Sequence, residues 1–491
     1  MVRQVLLHFF SPTSFNIGVG IKLPVGSAQA SLVHLRAGLA CLIQDGKAHQ
    51  LVHSYKGASG WKCCPHCKHI LNTNPARIAT SRYLHHYATA TPDDFDEHNN
   101  DSFWECVDMV EAASRRGATV LHDVEKATGL RYNEHGLLWD KYLRQYYNAF
   151  QGTYHDAMHS LAANGGVGPH QITGFLFALQ GEDITLKALD EFQTQVRKGP
   201  QRLLRRNFFQ QRPVRERHSA FKCFAAECVA AVDVLVMFFT MCLFPKGLLL
   251  QHGMCMQLLK SIMDIVFRGD RALKHIDNFD LLARGHQRLF LELYGVESTI
   301  PKNHHVFHIS NSIRRFGTSL TCFKMERVHH TAKQLGEHGR GDSFQINITK
   351  RSTLRMLFEE DPVEEFSLHE PIKSDPRMRA AVSLLLPDVG TDVNTSKKMQ
   401  THIGNMRRGD IFLASTEPME IYLANLFVRA VSLANLQHVH FVACQQYLQT
   451  QRHEWELCDR WQLLPCNNML SSLVCFRSGD TTIVPLITEF V

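Results

Sequence analysis

The most apolar part of this chain lies near its middle, and it restricts the folds that the chain can adopt. Two long apolar stretches, Phe221 to Phe244 and Leu248 to Phe267, have helical patterning, and an amphipathic stretch from Asp277 to Tyr294 follows them. The densest apolar run, Val234 to Phe244, is stopped by Pro245 and is too short to span a bilayer. We therefore expect a buried helix inside an all-helical block, and no membrane-spanning segment.

Composition places the chain among soluble globular proteins of more than one domain. Of 491 residues, 44% are hydrophobic and 20% are charged, which allows sizeable cores. The net charge of +6 permits nucleic-acid binding without requiring it. Ser11-Pro12 ends the amino-terminal apolar stretch too early for a signal peptide. The 14 cysteines are therefore expected to be thiols in a reducing compartment, the nucleus or the cytoplasm, and not in a secreted protein.

The patterns on either side of the helical block differ from it. Residues 1–80 contain short apolar runs with glycine and proline turns, which suit strands of an α/β fold. Residues 346–400 are polar and irregular and read as a linker. From about residue 405 the pattern turns to strands, so residues 401–491 are predicted to form a small β-rich domain.

Three acidic residues are candidates for a carboxylate site. Asp45 directly follows an apolar run, Asp156 is three residues before His159, and Glu326 shares a helix face with Lys333. Converging carboxylates bind hard cations such as Mg²⁺, and a nearby imidazole can contact a phosphate. Each has an ordinary alternative: an Asp-Gly turn, a helix N-cap and a salt-bridged helix face, respectively.

A second candidate site is the cysteine pair Cys64-x-x-Cys67, which has the spacing of half a zinc site. Two further ligands are needed, and His66, His69 and the more distant His159 are the candidates for Zn²⁺ coordination. Plain structural thiols are the alternative.

The segment from residue 197 to residue 217 is strongly basic. Phe208 and Phe209 lie among its cations, a composition that suits phosphate contact and base stacking. A solvated linker is the alternative. The nucleic-acid-binding candidates are Arg197, Lys198, Arg202, Arg205, Arg206, Arg212 and Arg215, with Lys333 further along the chain.

Several of these segments together resemble a known family. They are Lys56-Gly57-Ala58-Ser59-Gly60 running into the Cys64/Cys67 pair, Tyr154-x-Asp156-x-Met158-His159, Pro301-Lys302-x-His304-x-x-x-His308, and Cys322-Phe323-x-x-Glu326-Arg327. Their content and order are similar to those of CACTA-type and related DDE cut-and-paste DNA transposases. The resemblance covers roughly residues 35–335, and its specificity comes from the order of short motifs.

The resemblance implies an α/β ribonuclease-H-like core that is interrupted by an all-helical insertion, and the cleavage and transfer of DNA strands. It assigns Asp45, Asp156 and Glu326 to two Mg²⁺ ions and gives His159 a phosphate contact. DNA is then the expected partner, and a homo-oligomer is compatible with such a protein. The implied domains are 1–165 and 301–345 for the core and 166–300 for the insertion, followed by the linker and the β-rich domain.

Whether the site is complete stays open at this point. In another alignment Asp45 matches the second acidic residue of these enzymes, so that the first acidic strand would precede Met1 and the protein would be an inactive, element-derived fragment. One rival is a non-catalytic nucleic-acid- or protein-binding module that retains the fold. Another is a structural protein stabilised by zinc at Cys64 and Cys67.

Overall fold

The computed structural model of the chain divides into two compact units, which are described separately. Unit 1 comprises Met1–Phe177, Val214–Val229 and Met254–Met325, and unit 2 comprises Ala178–Pro213, Ala230–Gly253 and Glu326–Val491. The structure describes residues 2–13, 16–25, 31–44, 46–72, 85–89, 91–94, 96–323, 366–374, 376–390, 392–401, 404–433, 437–451, 454–477 and 481–486.

Most of the regular structure described in unit 1 is helical. Two of the helices have clear end signals: Asn99 caps the helix that begins at Asn100 by accepting a hydrogen bond from the Ser102 backbone N–H at 2.8 Å, and Gly117 precedes the helix that begins at Ala118. The helices wholly within this unit are α1 (Val2–Phe9), α2 (Gly46–Val52), α3 (Asn100–Ser114), α4 (Ala118–Thr128), α9 (Ile276–Tyr294) and α10 (Pro301–Phe316). Three more have residues in both units, namely α5 (Val167–Gly181), α7 (Ala225–Phe238) and α8 (Leu250–Val266).

The described strands of unit 1 form three short pairs. Their bounds are β1 (Ile21–Val25) with β2 (Ser31–Leu35), β3 (Leu42–Gln44) with β6 (Thr153–His155), and β4 (Ile70–Leu71) with β5 (His85–His86). The β3–β6 pair is parallel, and Gln44 is the register partner of His155. A buried apolar cluster that includes Phe103, Val107, Leu138 and Tyr147 forms the core of this unit. The larger sheet of a ribonuclease-H-like core stays a prediction, because the described residues show only these pairs.

Unit 2 is built around an eleven-stranded sheet. Its longest strands are neighbours and antiparallel: β15 (Met419–Val431), β16 (His438–Gln449) and β17 (Trp455–Pro465). The other strands of this sheet are β7 (Val196–Lys198), β8 (Gln201–Arg202), β10 (Ile372–Lys373), β11 (Asn394–Ser396), β14 (Ile411–Thr416), β18 (Ser471–Ser472), β19 (Val474–Arg477) and β20 (Thr482–Leu486). The strand order is β10-β11-β15-β16-β17-β20-β19-β7-β8; β14 pairs with β15, and β18 pairs with β14.

A smaller sheet and two helices complete the regular structure of unit 2. The sheet has the order β13-β12-β9, with β9 (Ser367–Leu368), β12 (Lys398–Thr401) and β13 (Gly404–Arg407). The helices are α6 (Leu186–Gln193) and α11 (Pro376–Leu385). Residues 346–400, which were predicted to form a linker, supply strands to both sheets. Residues 196–202, which were predicted to belong to the helical insertion, supply β7 and β8 to the larger sheet. Their strands are only two to four residues long, so they carry too little alternation to be recognised in the sequence.

The apolar helical run in the middle of the chain meets the length and composition of a membrane span. It covers Ala225–Lys246, and 61% of its most apolar window is buried inside the protein. A mostly buried apolar helix of this kind is typical of the core of a soluble protein. The buried helix predicted over residues 234–244 lies inside this stretch, but the stretch has 22 residues, so the prediction that the apolar run is too short to span a bilayer does not hold for the helical stretch as a whole.

Candidate metal centre

Helix α10 presents two histidines on one face. Pro301 occupies its first position, where no backbone N–H is needed, and the Asn303 side chain accepts a hydrogen bond from the Ile300 N–H at 3.0 Å. The helix ends at Gly317, whose φ of 73° is the left-handed conformation that glycine adopts most easily. His304 and His308, four residues apart, therefore lie one above the other, and both are buried.

The cysteine pair lies in a turn held by backbone hydrogen bonds. The His98 N–H donates to the His66 carbonyl at 2.8 Å, and the Lys68 N–H donates to the Asp96 carbonyl at 2.9 Å. These bonds fix the backbone on both sides of Cys67, and the Cys64 and Cys67 thiols are both fully buried. A short, pinned turn of this kind can point two thiols at one position.

The two cysteines and the two histidines meet at one point. The His308 Nε2 atom lies 3.3 Å from each sulfur, and the His304 Nε2 atom lies 3.2 Å from the Cys67 Sγ atom. The two Nε2 atoms are 3.0 Å apart. All four ligand atoms lie within 4.8 Å of one another, and a group of this composition could hold a metal ion such as zinc.

The distances agree with the size of a tetrahedral zinc site. Bonds of about 2.3 Å to sulfur and 2.0–2.1 Å to nitrogen place tetrahedral ligands about 3.6 Å apart for an S–N pair and about 3.3 Å for an N–N pair. The observed separations of 3.2–3.3 Å and 3.0 Å fall a few tenths of an ångström below these values. Four protein ligands would leave no coordination position for water or substrate, which is the arrangement of structural zinc sites.

A carboxylate supports the centre from outside. The His308 Nδ1 atom lies 3.1 Å from the Glu97 Oε1 atom, and the Asn311 amide donates to the same oxygen at 3.0 Å. An imidazole that donates its other N–H to a carboxylate presents a basic Nε2 lone pair to a metal. Glu97 and His308 also line a cavity of about 280 Å³ together with Arg284 and Arg314.

Charge is concentrated among these buried ligands. Burial opposes ionisation of Cys64, but the Cys67 thiol and the positive charge of His308 bring the pKa of Cys64 well below its ordinary value. Burial and the neighbouring Cys64 thiolate raise the pKa of Cys67. Burial alone would lower the pKa of His308, whereas the Cys64 thiolate and Glu97 raise it to about 10.

A shell of neutral histidines packs around the centre. The His155 ring lies 4.8 Å from the ring of His66, 4.8 Å from that of His305 and 5.2 Å from that of His308. Burial lowers the pKa of His66 to about 3 and that of His305 to about 4, and it lowers the pKa of His155 as well. These three rings are packing neighbours of the centre and do not belong to its ligand set.

The predicted Asp156-x-x-His159 segment forms a second group in unit 1. Asp156 directly follows β6 and is 3% exposed. Its Oδ2 atom accepts the His159 backbone N–H at 2.8 Å and lies 2.7 Å from His159 Nδ1, while its Oδ1 atom accepts the Cys322 N–H at 2.7 Å. Asp156, His159 and Cys322 together could also hold a cation. The Tyr154 hydroxyl accepts the Leu320 N–H at 2.9 Å. Tyr154 of β6 and Asp156 directly after it therefore bind residues 320–322 at two points.

Three of the predicted site residues lie outside the residues that the structure describes, namely Asp45, Glu326 and Lys333. The zinc ligands proposed for the Cys64/Cys67 pair need correction, because His66 is a packing neighbour, His69 is partly exposed beside Asp96, and His159 is bonded to Asp156. The histidines that the structure groups with the two cysteines are instead His304 and His308, and their i, i+4 spacing on a predicted helix was the available signal.

The basic segment divides between the two units, and its aromatic residues are not available for stacking. Phe208 and Phe209 are fully buried, and the Arg212 guanidinium lies 4.1 Å from the centre of the Phe208 ring. The predicted role in base stacking was therefore wrong: both rings belong to the core of unit 2. The exposed cations of the segment are Lys198, Arg202, Arg205, Arg206, Arg215 and Arg217, and Arg197 and Arg212 are half-buried.

Comparison of the chain with protein-family models, curated proteins and solved structures gave no significant match. Function has to be inferred from the chemistry of these residues. These residues define a protein whose unit 1 contains a buried Cys₂His₂ group that could hold a metal ion.

Proposed function

We propose that the chain is a transposase-derived protein that cleaves and transfers DNA strands, with Asp156 of unit 1 as one catalytic carboxylate and with Asp45 and Glu326 as the further carboxylates that the resemblance implies. The observation that carries this proposal is the register of the parallel β3–β6 pair. Gln44 is the partner of His155, and the next residue in each sequence is an aspartate. Adjacent parallel strands that end together bring the residues after them to one sheet edge, which supports a shared site.

The resemblance also supplies the third carboxylate, Glu326. In the sequence it comes four residues after Cys322, whose backbone N–H donates to Asp156.

The Asp156 carboxylate suits a hard cation. A carboxylate offers about four lone-pair positions, and three of those of Asp156 face His159 and Cys322, which fix its orientation and leave one on Oδ1. Mg²⁺ bound there would supply the Lewis acid that activates water or a 3′-hydroxyl and stabilises the leaving oxygen. His159, held by Asp156, is the group that would contact the phosphate.

In this proposal Zn²⁺ occupies the Cys₂His₂ centre and has a structural role. It would connect the turn at Cys64 and Cys67 to α10, and α10 leads through Gly317 to the segment that bonds Asp156. A DNA substrate also favours a nuclear location over a cytoplasmic one, which imaging of the tagged chain would test.

The test is nicking of supercoiled plasmid DNA by the full chain with Mg²⁺ or Mn²⁺. We expect Asp45→Asn, Asp156→Asn and Glu326→Gln each to reduce nicking to background while one equivalent of zinc is retained. Asp123→Asn, which removes an exposed aspartate of α4, is the matched control and should nick like the parent. Equal nicking by the parent and all three variants would refute the assignment.

The second candidate is a non-catalytic nucleic-acid-binding module. It is favoured by the three hydrogen bonds that already occupy Asp156, since such a carboxylate can also be a purely structural acceptor. A parent chain that binds duplex DNA but nicks with neither cation would establish this candidate over the first.

A further inference from the structure

Unit 2 carries a group of eight cations on and around the β7–β8 hairpin, supplied by three separate stretches of the chain. We call it the arginine face. Seven of its members are exposed or half-buried arginines and one is an exposed lysine. They are Arg197, Lys198, Arg202, Arg205, Arg206, Arg407, Arg408 and Arg477.

The β7–β8 hairpin forms the centre of the arginine face. Arg197 is the cross-strand partner of Arg202, a pairing of like charges that is unfavourable by itself. On the other side β7 pairs with β19, and the Arg477 N–H donates to the Gln195 carbonyl at 3.1 Å. Burial, Arg202 and Arg477 together lower the pKa of Arg197, as is expected where guanidinium groups converge.

A turn from a distant part of the sequence lies against this hairpin. A methyl group added at Gly409 would lie 3.4 Å from Pro200, the residue at the tip of the hairpin. Gly199 has a φ of 58°, and a side chain there would collide with the Asp410 carboxylate. The contact therefore requires glycine at position 199, and it brings the exposed Arg407 and Arg408 beside the hairpin.

The charges of the arginine face are not neutralised within the described part of the chain. Asp410 interacts with Lys198, but it is itself a structural acceptor, since it receives the Arg407 N–H at 2.8 Å. Among the residues that the structure describes, none makes an ion pair within 4 Å of a member of the face. Asp410, which interacts with Lys198 and Arg407, offsets one charge at most; the remaining cations repel one another, and a polyanion would remove that repulsion.

The aromatic residues decide which kind of polyanion fits. Single-stranded nucleic acid is usually held by aromatic rings on which the bases stack. Phe208 and Phe209, the aromatic residues of the same segment, are fully buried. Arginine forks match phosphate oxygens in pairs of hydrogen bonds, so the hairpin and the segment after it offer phosphate contacts without stacking by Phe208 or Phe209.

We propose that the arginine face binds the phosphate backbone of duplex nucleic acid, without base stacking and without sequence preference. This binding does not require the carboxylate site of unit 1. It also extends the predicted basic segment, because Arg407, Arg408 and Arg477 lie more than 200 residues away in the sequence.

The test is the affinity of the full chain for a fluorescent 30-base-pair duplex, measured by anisotropy over a series of KCl concentrations. Arg407→Gln/Arg408→Gln is the decisive variant, because it changes two exposed residues outside the linear basic segment. We expect it to weaken binding about 10- to 100-fold at 0.1 M salt and to reduce the salt slope by about 2. Arg202→Gln/Arg205→Gln/Arg206→Gln should act in the same direction and more strongly.

The matched control is Arg115→Gln/Arg116→Gln, which removes two exposed arginines from the end of α3 in unit 1. The proposal is overturned if the control weakens binding as much as Arg407→Gln/Arg408→Gln does, or if neither variant changes the slope. It is also overturned if a single strand of equal length binds more tightly than the duplex, or if only vesicles containing phosphatidylserine bind. A parent chain that binds the duplex but does not nick DNA would contradict the proposed function and would leave the proposal of duplex binding by the arginine face intact.

Discussion

Removal of the metal from the Cys₂His₂ centre should destabilise unit 1 strongly. The centre joins the Cys64/Cys67 turn to α10, and the two partners Cys67 and His304 are 237 residues apart in the sequence. In the chain-entropy treatment of cross-links, a closed loop of this length is worth about 5.5 kcal/mol at 25 °C.

The magnitude can be converted into a melting temperature. For domains of 150–250 residues, 1 kcal/mol shifts the Tm by about 2–4 °C, so loss of the cross-link should lower the Tm of unit 1 by about 10–20 °C. We expect one zinc per chain by elemental analysis of the purified protein, and the Tm shift on dialysis against a strong chelator should be reversed by added Zn²⁺.

The variants Cys67→Ser and His304→Ala should abolish the zinc content and reproduce the Tm of the chelated parent. Cys63→Ser is the matched control, because Cys63 is a buried thiol next to the centre that is not one of its ligands. A Cys67→Ser protein that keeps one equivalent of zinc and the parent's Tm would refute the ligand assignment. So would a Cys63→Ser protein that loses zinc to the same extent.

Three further predictions concern groups around these sites. Glu97→Gln should weaken zinc affinity about 10- to 100-fold in competition with a chelator, because the hydrogen bond to His308 loses its charge. Burial lowers the pKa of His286 to about 4, below its unfolded value of about 6.5, so its contribution is complete above pH 6.5 and is lost as the pH falls toward 4. The parent should therefore lose about 2 kcal/mol more unfolding free energy between pH 7 and pH 5 than His286→Gln does, as measured by urea titrations at both pH values. Tyr154→Phe should cost about 1–3 kcal/mol in the same titrations, since the Leu320 N–H loses its acceptor, and an unchanged midpoint would contradict that bond.

The metal centre shows how much of a site a sequence can reveal. The sequence shows the Cys-x-x-Cys spacing of Cys64 and Cys67 and the i, i+4 spacing of His304 and His308, and each pair is typical of half of a metal-ligand set. What could not be read was that the two halves belong together, because more than 200 residues separate them. Candidates near in sequence, His66 and His69, were preferred for that reason alone. Pairing across such a distance is decided by the packing of α10, which local patterns do not record.

The fold shows the same limit at the level of secondary structure. The buried helix over residues 234–244 could be predicted because apolar runs of that length have few alternatives. Strands β7 and β8 could not, because strands of three and two residues owe their formation to their neighbour β19. Phe208 and Phe209 were misread as stacking rings for a related reason: interleaved aromatic and basic residues look alike whether the rings face solvent or the core.

The metal centre and the Asp156 group are mechanically connected, and this affects how each must be assayed. His155 packs its ring against His66 and against the ligand His308, and the next residue is Asp156. A change in the centre would therefore move the end of β6, where the carboxylate is held. Zinc removal should thus abolish any Mg²⁺-dependent activity although zinc is remote from the chemistry. Chelators that strip both metals cannot separate the two effects, whereas readdition of Mg²⁺ to protein that has kept its zinc can.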